Sequence, residues 1–171
     1  MDVEFVRVSE RVCLARAVRE DGALVETRAT TKSGLPHDLE HLTVEAGLAL
    51  HDGFWGRVAA GAEFKGMKIT MVKPRRRPRA LNRAIARGYT GWDDDLVGAV
   101  VNVYREARAA GWEPSRTFPQ VPALTRLLRR GHGTRVGSTF EREVIERTCV
   151  SLRDAEGEWM AVPIGGLTTL T

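Results

Sequence analysis

The chain has 171 residues, 43% hydrophobic and 28% charged, a balance that suits one globular domain with a real core and excludes disorder throughout. No apolar run approaches the roughly 20 residues that span a bilayer, and the acidic start Met1-Asp2-Val3-Glu4 lacks a signal pattern, so a cytoplasmic protein is expected. The net charge of +4 permits an anionic partner without requiring one, and abundant Arg and Ala with scarce Lys also follow from a GC-rich genome.

Residues 3–30 read as β-structure. Val3 to Val8 is a short strand, and the Asp21-Gly22 turn between alternating segments predicts a hairpin of 11–19 with 23–30. After the loop Thr31 to Gly34, a helix is expected from Pro36, which suits a first helical position, to about His51. Leu35, Leu39, Leu42, Ala46, Ala49 and Leu50 gather on one face. His37, His41, Val44 and Leu48 share the opposite one, with Glu45 at its edge. Two apolar faces predict a helix buried on both sides. Asp52-Gly53 ends it, and Phe54 to Phe64 reads as a second helix with small residues that allow close approach.

Residues 65–92 change character. Lys65, Lys68, Lys73, Arg75, Arg76, Arg77, Arg79, Arg83 and Arg87 occur with no acidic residue between Glu63 and Asp93. Pro74 and Pro78 bracket the densest run, which predicts an extended loop followed by a short helix. Asp93-Asp94-Asp95 supplies an acidic helix start. Leu96, Val97, Val100, Val103, Tyr104 and Ala107 form the clearest helical stripe, stopped by Gly111. Residues 112–121 are a loop. Pro122 to Arg130 is a short helix with Leu124, Leu127 and Leu128 inward, and Gly131-His132-Gly133 is a turn. Ser138 and Glu141 have capping-box spacing for a helix over 139–147. From Thr148 the residues favour strands, so a second hairpin, turning at Asp154 to Gly157, is expected to close the chain. The whole is one α+β domain over 1–171: a β-hairpin region over 1–34, a mainly helical region over 35–147 with four to six helices, and a C-terminal hairpin over 148–171. Cys13 and Cys149 then fall in strands, as buried free thiols rather than a disulfide.

The chemistry-bearing stretch is Pro36-His37-Asp38-Leu39-Glu40-His41. Histidines four apart on a helix lie on one face about 6 Å apart at Cβ, within reach of one divalent metal ion, zinc first among the candidates. An acidic residue after the first histidine stands where Glu stands in the H-E-x-x-H zinc-protease signature. Asp38 is therefore the expected general base on a metal-bound water, or an outer orienter of a ligand. Glu45 lies about 12 Å along the helix from His37 and is set aside as a shared ligand. Glu63, on the next helix, is the expected third ligand; Asp52 and His51 come second and His132 last. The bland alternative is two ordinary histidines hydrogen-bonded within the fold. Metal-dependent hydrolysis is the reaction class this set suggests, with the substrate unspecified.

The rival expectation is a non-catalytic binding module that uses the Lys65 to Arg87 stretch on nucleic acid or an acidic partner. Arg75, Arg76, Arg77 and Arg79 could neutralise phosphates or hold an anionic substrate beside a metal. Interleaved aromatics for base stacking are missing apart from Tyr89 and Trp92, so a solvated basic loop competes with this reading. A plain scaffold is the third. No local Ser/His/Asp or Cys/His signature occurs, and Gly165-Gly166 lacks a phosphate-loop pattern.

Two resemblances attach to these residues. Pro36-His37-Asp38-x-x-His41, with Gly47-Leu48-x-x-x-Asp52-Gly53-x-x-Gly56-x-x-Ala59-Ala60-Gly61-Ala62-x-Phe64, resembles a family of uncharacterised bacterial proteins, which implies no function. His37-Asp38-x-x-His41 is similar to the zinc-binding HDxxH motif of the coenzyme Q biosynthesis protein 4 family, which implies a helix-borne metal site. That family's acidic ligand falls where this chain has Asp52 and Gly53.

Overall fold

The computed structural model describes residues 1–31, 34–71, 92–130 and 141–170. Three N-terminal strands, β1 (Val3–Arg7), β2 (Val12–Val18) and β3 (Ala23–Thr30), precede α1 (His37–Gly47), α2 (Phe54–Ala60) and β4 (Lys68–Met71). Then come α3 (Trp92–Ala109), α4 (Pro122–Arg130), α5 (Arg142–Ala161) and β5 (Leu167–Leu170). The strands form one antiparallel sheet in the order β4-β3-β2-β1-β5, so the expected α+β class holds.

The expected hairpin of β2 and β3 is present, in a register that sets Val18 opposite Leu24 and Val12 opposite Thr30. Alternation along the strands sends Val3, Phe5, Cys13, Ala15, Ala17, Ala23, Val25 and Ala29 to the buried side. The alanines on this face leave room for bulky partners from the helices. Trp55 meets Phe5 edge-on at 6.3 Å, and Trp159 is buried beneath the Arg7 guanidinium.

The C-terminal hairpin does not exist. Residues 142–161 form α5, the longest helix among those described, and only β5 follows, paired with β1. Thr148, Cys149, Val150 and Trp159 favour strands individually, and Asp154 to Gly157 has turn composition. The burial pattern overrides both. Ile145, Thr148, Cys149, Leu152, Ala155 and Trp159 are the buried positions, spaced by three and four as one helical face requires. Cys149 is thus helical while Cys13 is in β2; both are buried free thiols, and burial pushes each up to about 12, which leaves them unreactive.

Other differences are local. Helix α1 stops at Gly47 rather than His51. The Leu50 N–H bonds Glu45 O, the Ala49 N–H bonds Ala46 O, and Ala49 takes φ 52°. This is a left-handed closure with Ala where Gly is usual. Its solvent side is at Ala46 and Ala49, so burial on both sides is not complete. Helix α2 stops at Ala60, short of Phe64, because Gly61 closes it in the same way at φ 108°. Lys68–Met71, expected in a basic loop, is β4, paired with Ala23 to Glu26. Its Lys68 ion-pairs with Glu26 at 3.3 Å. The helix stripe on α3 is as expected, all six of its residues being buried. Ser138 of the capping box lies outside the described residues, and Glu141 is the N-cap of α5 without a side-chain cap bond.

Gly47 fixes how closely α1 and α5 cross. A Cβ there would lie 2.6 Å from Thr148 Oγ1 and 2.9 Å from Thr148 Cγ2, so the Thr148 side chain of α5 packs directly on the glycine.

Candidate metal centre

The centre assembles from α1 and the first turn of α3. His37 and His41, one turn apart on α1, place their rings 4.6 Å apart and nearly perpendicular. Asp94 comes up from α3 beside them. One ligand atom from each of His37, His41 and Asp94 lies within 4.8 Å of the other two, and this is the group among the described residues that could surround an ion. His41 Nε2 is 3.1 Å from Asp94 Oδ1. Two ligand atoms bonded at 2.0–2.1 Å to a tetrahedral zinc are separated by about 3.3 Å, so that edge already has the length of a coordination edge.

A carboxylate of α1 lies behind each imidazole. His41, 3% exposed, has Nδ1 3.2 Å from Glu45 Oε1, and Glu45 is itself 4% exposed. The other Glu45 oxygen accepts the Trp55 backbone N–H at 2.9 Å. With both oxygens accepting, Glu45 calls for the Nδ1–H form of His41, which leaves Nε2 toward Asp94. Gly53 completes the cradle, since a Cβ at that position would sit 2.5 Å from Glu45 Cδ. His37 repeats the device more loosely, with Nδ1 3.8 Å from Glu40 Oε2. Glu40 is anchored in turn by Arg105 of α3 at 2.9 Å.

Exposure grades across the group. The His37 and Asp94 side chains are 62% and 50% exposed, while His41 forms the buried floor against the Phe54 ring at 5.8 Å. Three protein ligands with a solvent-facing side is the pattern of catalytic zinc, whereas structural zinc is closed by four. A groove of about 640 Å³, lined by Arg28, Thr30, Leu35, His37, Asp38 and Arg105 among others, opens beside His37.

The structure brings the two expected histidines together and sets other residues around them than expected. Glu63 is half-buried outside the group, and Asp94 stands in the third position. His51 and Asp52 are exposed and also outside it. His132 and Arg75, Arg76, Arg77 and Arg79 lie outside the described residues. Asp38 points elsewhere: Thr27 hydrogen-bonds its carboxyl, whose Oδ2 is sealed from solvent without a partner among the described residues, and burial raises its pKa despite both histidines. The carboxylates that face ring nitrogens of the two histidines are those of Glu45 and Glu40. Its distance from His37 argues against Glu45 as a shared ligand, but its four-residue spacing from His41 is a readable signal. Asp94 carries no local signal, since an acidic first turn is what the helix dipole favours in any case.

The Glu40 carboxylate, outweighing partial burial, raises the His37 pKa above its usual 6.5. A proton on His37 competes with a metal ion, so metal affinity falls as pH drops through that raised value and is flat well above it. Zinc titrations from pH 8.5 down to 5.5 read this directly; equal affinity across that range would contradict it.

Comparison of the chain with family models, with curated proteins and with solved structures finds no match.

Proposed function

We propose that the protein holds one divalent ion, zinc by preference, on His37, His41 and Asp94 and uses it for metal-assisted hydrolysis. The observation that carries this reading is the anchoring of His41 between buried Glu45 at Nδ1 and Asp94 at Nε2. A free imidazole in a protein interior needs one partner. An imidazole whose second nitrogen is aimed at a carboxylate oxygen faces a place that takes a positive species, and a second histidine lies beside it. Two nitrogens and one carboxylate oxygen suit zinc better than the oxygen-only sets of magnesium or calcium. The likeness of His37-Asp38-x-x-His41 to a zinc-binding motif adds to the preference.

The ion would supply a water of lowered pKa or polarise a carbonyl or phosphoryl oxygen. The chain's own residues do the rest. His37 and His41 bind, Glu40 and Glu45 orient them, and the Phe54 ring excludes water from the floor. The groove beside His37 admits a substrate from the solvent side. Asp38 is not given the base role, because Thr27 hydrogen-bonds its carboxyl and its Oδ2 is closed to solvent.

The test is metal content after purification without added metal or chelator. The wild type is expected to carry about one zinc per chain, and His41→Ala to carry none while remaining folded by circular dichroism. A folded wild type that takes up no zinc when titrated overturns the proposal.

A further inference from the structure

We infer that Arg105 is a positioning residue for this centre: through Glu40 it sets the orientation of His37 and so the affinity for the ion. The inference rests on the metal reading above. Arg105 sits on α3, 11 residues (105 minus 94) after the ligand Asp94, a spacing of three helical turns that returns to the same face. It crosses to α1 and donates from its guanidinium to Glu40 Oε1 at 2.9 Å, while Glu40 Oε2 lies 3.8 Å from His37 Nδ1. The two oxygens of one carboxylate are thus divided between a cation on α3 and a ligand on α1.

Glu40 is 9% exposed. A carboxylate buried to that degree needs a charged or hydrogen-bonding partner to stay in place. Among the described residues Arg105 is the cation within ion-pair distance of it, and His37 is the other group close by. His37 itself is mostly exposed and has no counterpart to the buried floor that locks His41. Its ring therefore depends on Glu40 for direction, and Glu40 depends on Arg105. Outer partners of this kind typically account for 10–100-fold in metal affinity.

The sign of the effect separates positioning from plain charge. Removing a cation close to a divalent ion lessens repulsion, so on charge alone the loss of Arg105 tightens binding. Freeing Glu40 to become a further ligand tightens it as well. A positioning role predicts the opposite. Separation from a merely structural role comes from the metal-free protein: the Arg105 side of the pair is half exposed, so water can take over part of the solvation of Glu40, and the fold loses less than it would from a fully buried pair.

The experiment is a zinc titration at pH 8 of the metal-free wild type, Arg105→Gln and Arg105→Lys, with the melting temperature of each metal-free protein. The expected result is a dissociation constant raised 10–100-fold in Arg105→Gln, largely restored in Arg105→Lys, with metal-free melting temperatures close to wild type. Affinity in Arg105→Gln equal to or tighter than wild type overturns the inference while leaving the metal centre standing. A fall in affinity that merely follows a lowered metal-free melting temperature, with no restoration by Lys, also overturns it. A wild type that binds no zinc removes both.

Discussion

Glu45→Gln is expected to weaken zinc binding by about 10–100-fold and to lower the stability of the metal-free protein by about 1–3 kcal/mol. The substitution keeps size and shape, so it isolates one property. Glu45 uses both oxygens as acceptors, one toward His41 Nδ1 and one from the Trp55 N–H. Glutamine has one acceptor oxygen and one NH₂ group. Whichever way the amide turns, its NH₂ faces a donor, and either the Trp55 N–H is stranded or His41 loses the group that fixes its tautomer. A buried donor left unpaired costs its desolvation in full, since water does not reach this floor. Zinc titration and thermal unfolding of the metal-free variant give the two numbers separately. Wild-type values for both would show that Glu45 neither orients His41 nor anchors α2.

Gly56→Ala is expected to destabilise the fold by about 3 kcal/mol. Alanine in place of glycine inside a helix normally gains about 1 kcal/mol, so propensity predicts the opposite sign. Geometry decides: a Cβ on residue 56 would lie 2.0 Å from the His51 carbonyl oxygen and 2.6 Å from its carbon. Those are backbone atoms of the turn between α1 and α2, and no rotamer change relieves them. The same turn carries Gly53 against Glu45, so the damage reaches the floor of the centre. Gly98→Ala on α3 is the control. A Cβ there meets nothing within 4 Å, and this variant should be neutral or up to about 1 kcal/mol more stable. Equal midpoints of denaturant unfolding for the two variants would contradict the packing around residue 56.

These two glycines and Glu45 show what was legible in the chain and what was not. The spacing of His37 and His41 predicts a shared face, and the α3 stripe predicts a buried helix, because both depend on periodicity within one element. Asp94 could not be found this way: it lies 53 residues (94 minus 41) after His41, and only the packing of α3 on α1 brings them together. Glu63 attracted the third-ligand role through a familiar separation in sequence, but the left-handed closure at Gly61 ends α2 before that position. The C-terminal hairpin failed for a different reason. Local strand preference at Thr148, Cys149 and Val150 competes with a helical burial period over twenty residues, and the longer pattern buries more surface. The stop of α1 at Gly47 was hidden because Ala49, not a glycine, takes the left-handed turn.

The Asp-Gly-x-x-Gly stretch after α1, which first reads as a helix breaker, has a positive role. Gly53 leaves space for the carboxylate that holds His41, and Gly56 lets the preceding turn close over α2. Residues 36–64 thus span the helix with the histidines and the turn that supports it from below.

The most direct measurement is anomalous diffraction at the zinc absorption edge from crystals grown with one equivalent of zinc. The expected result is a single strong peak about 2.0–2.1 Å from a nitrogen of His37, a nitrogen of His41 and an oxygen of Asp94, with Glu45 retained on His41 Nδ1. No peak at these residues, with His41 Nε2 bonded directly to Asp94 as in a simple ion triad, would contradict the account.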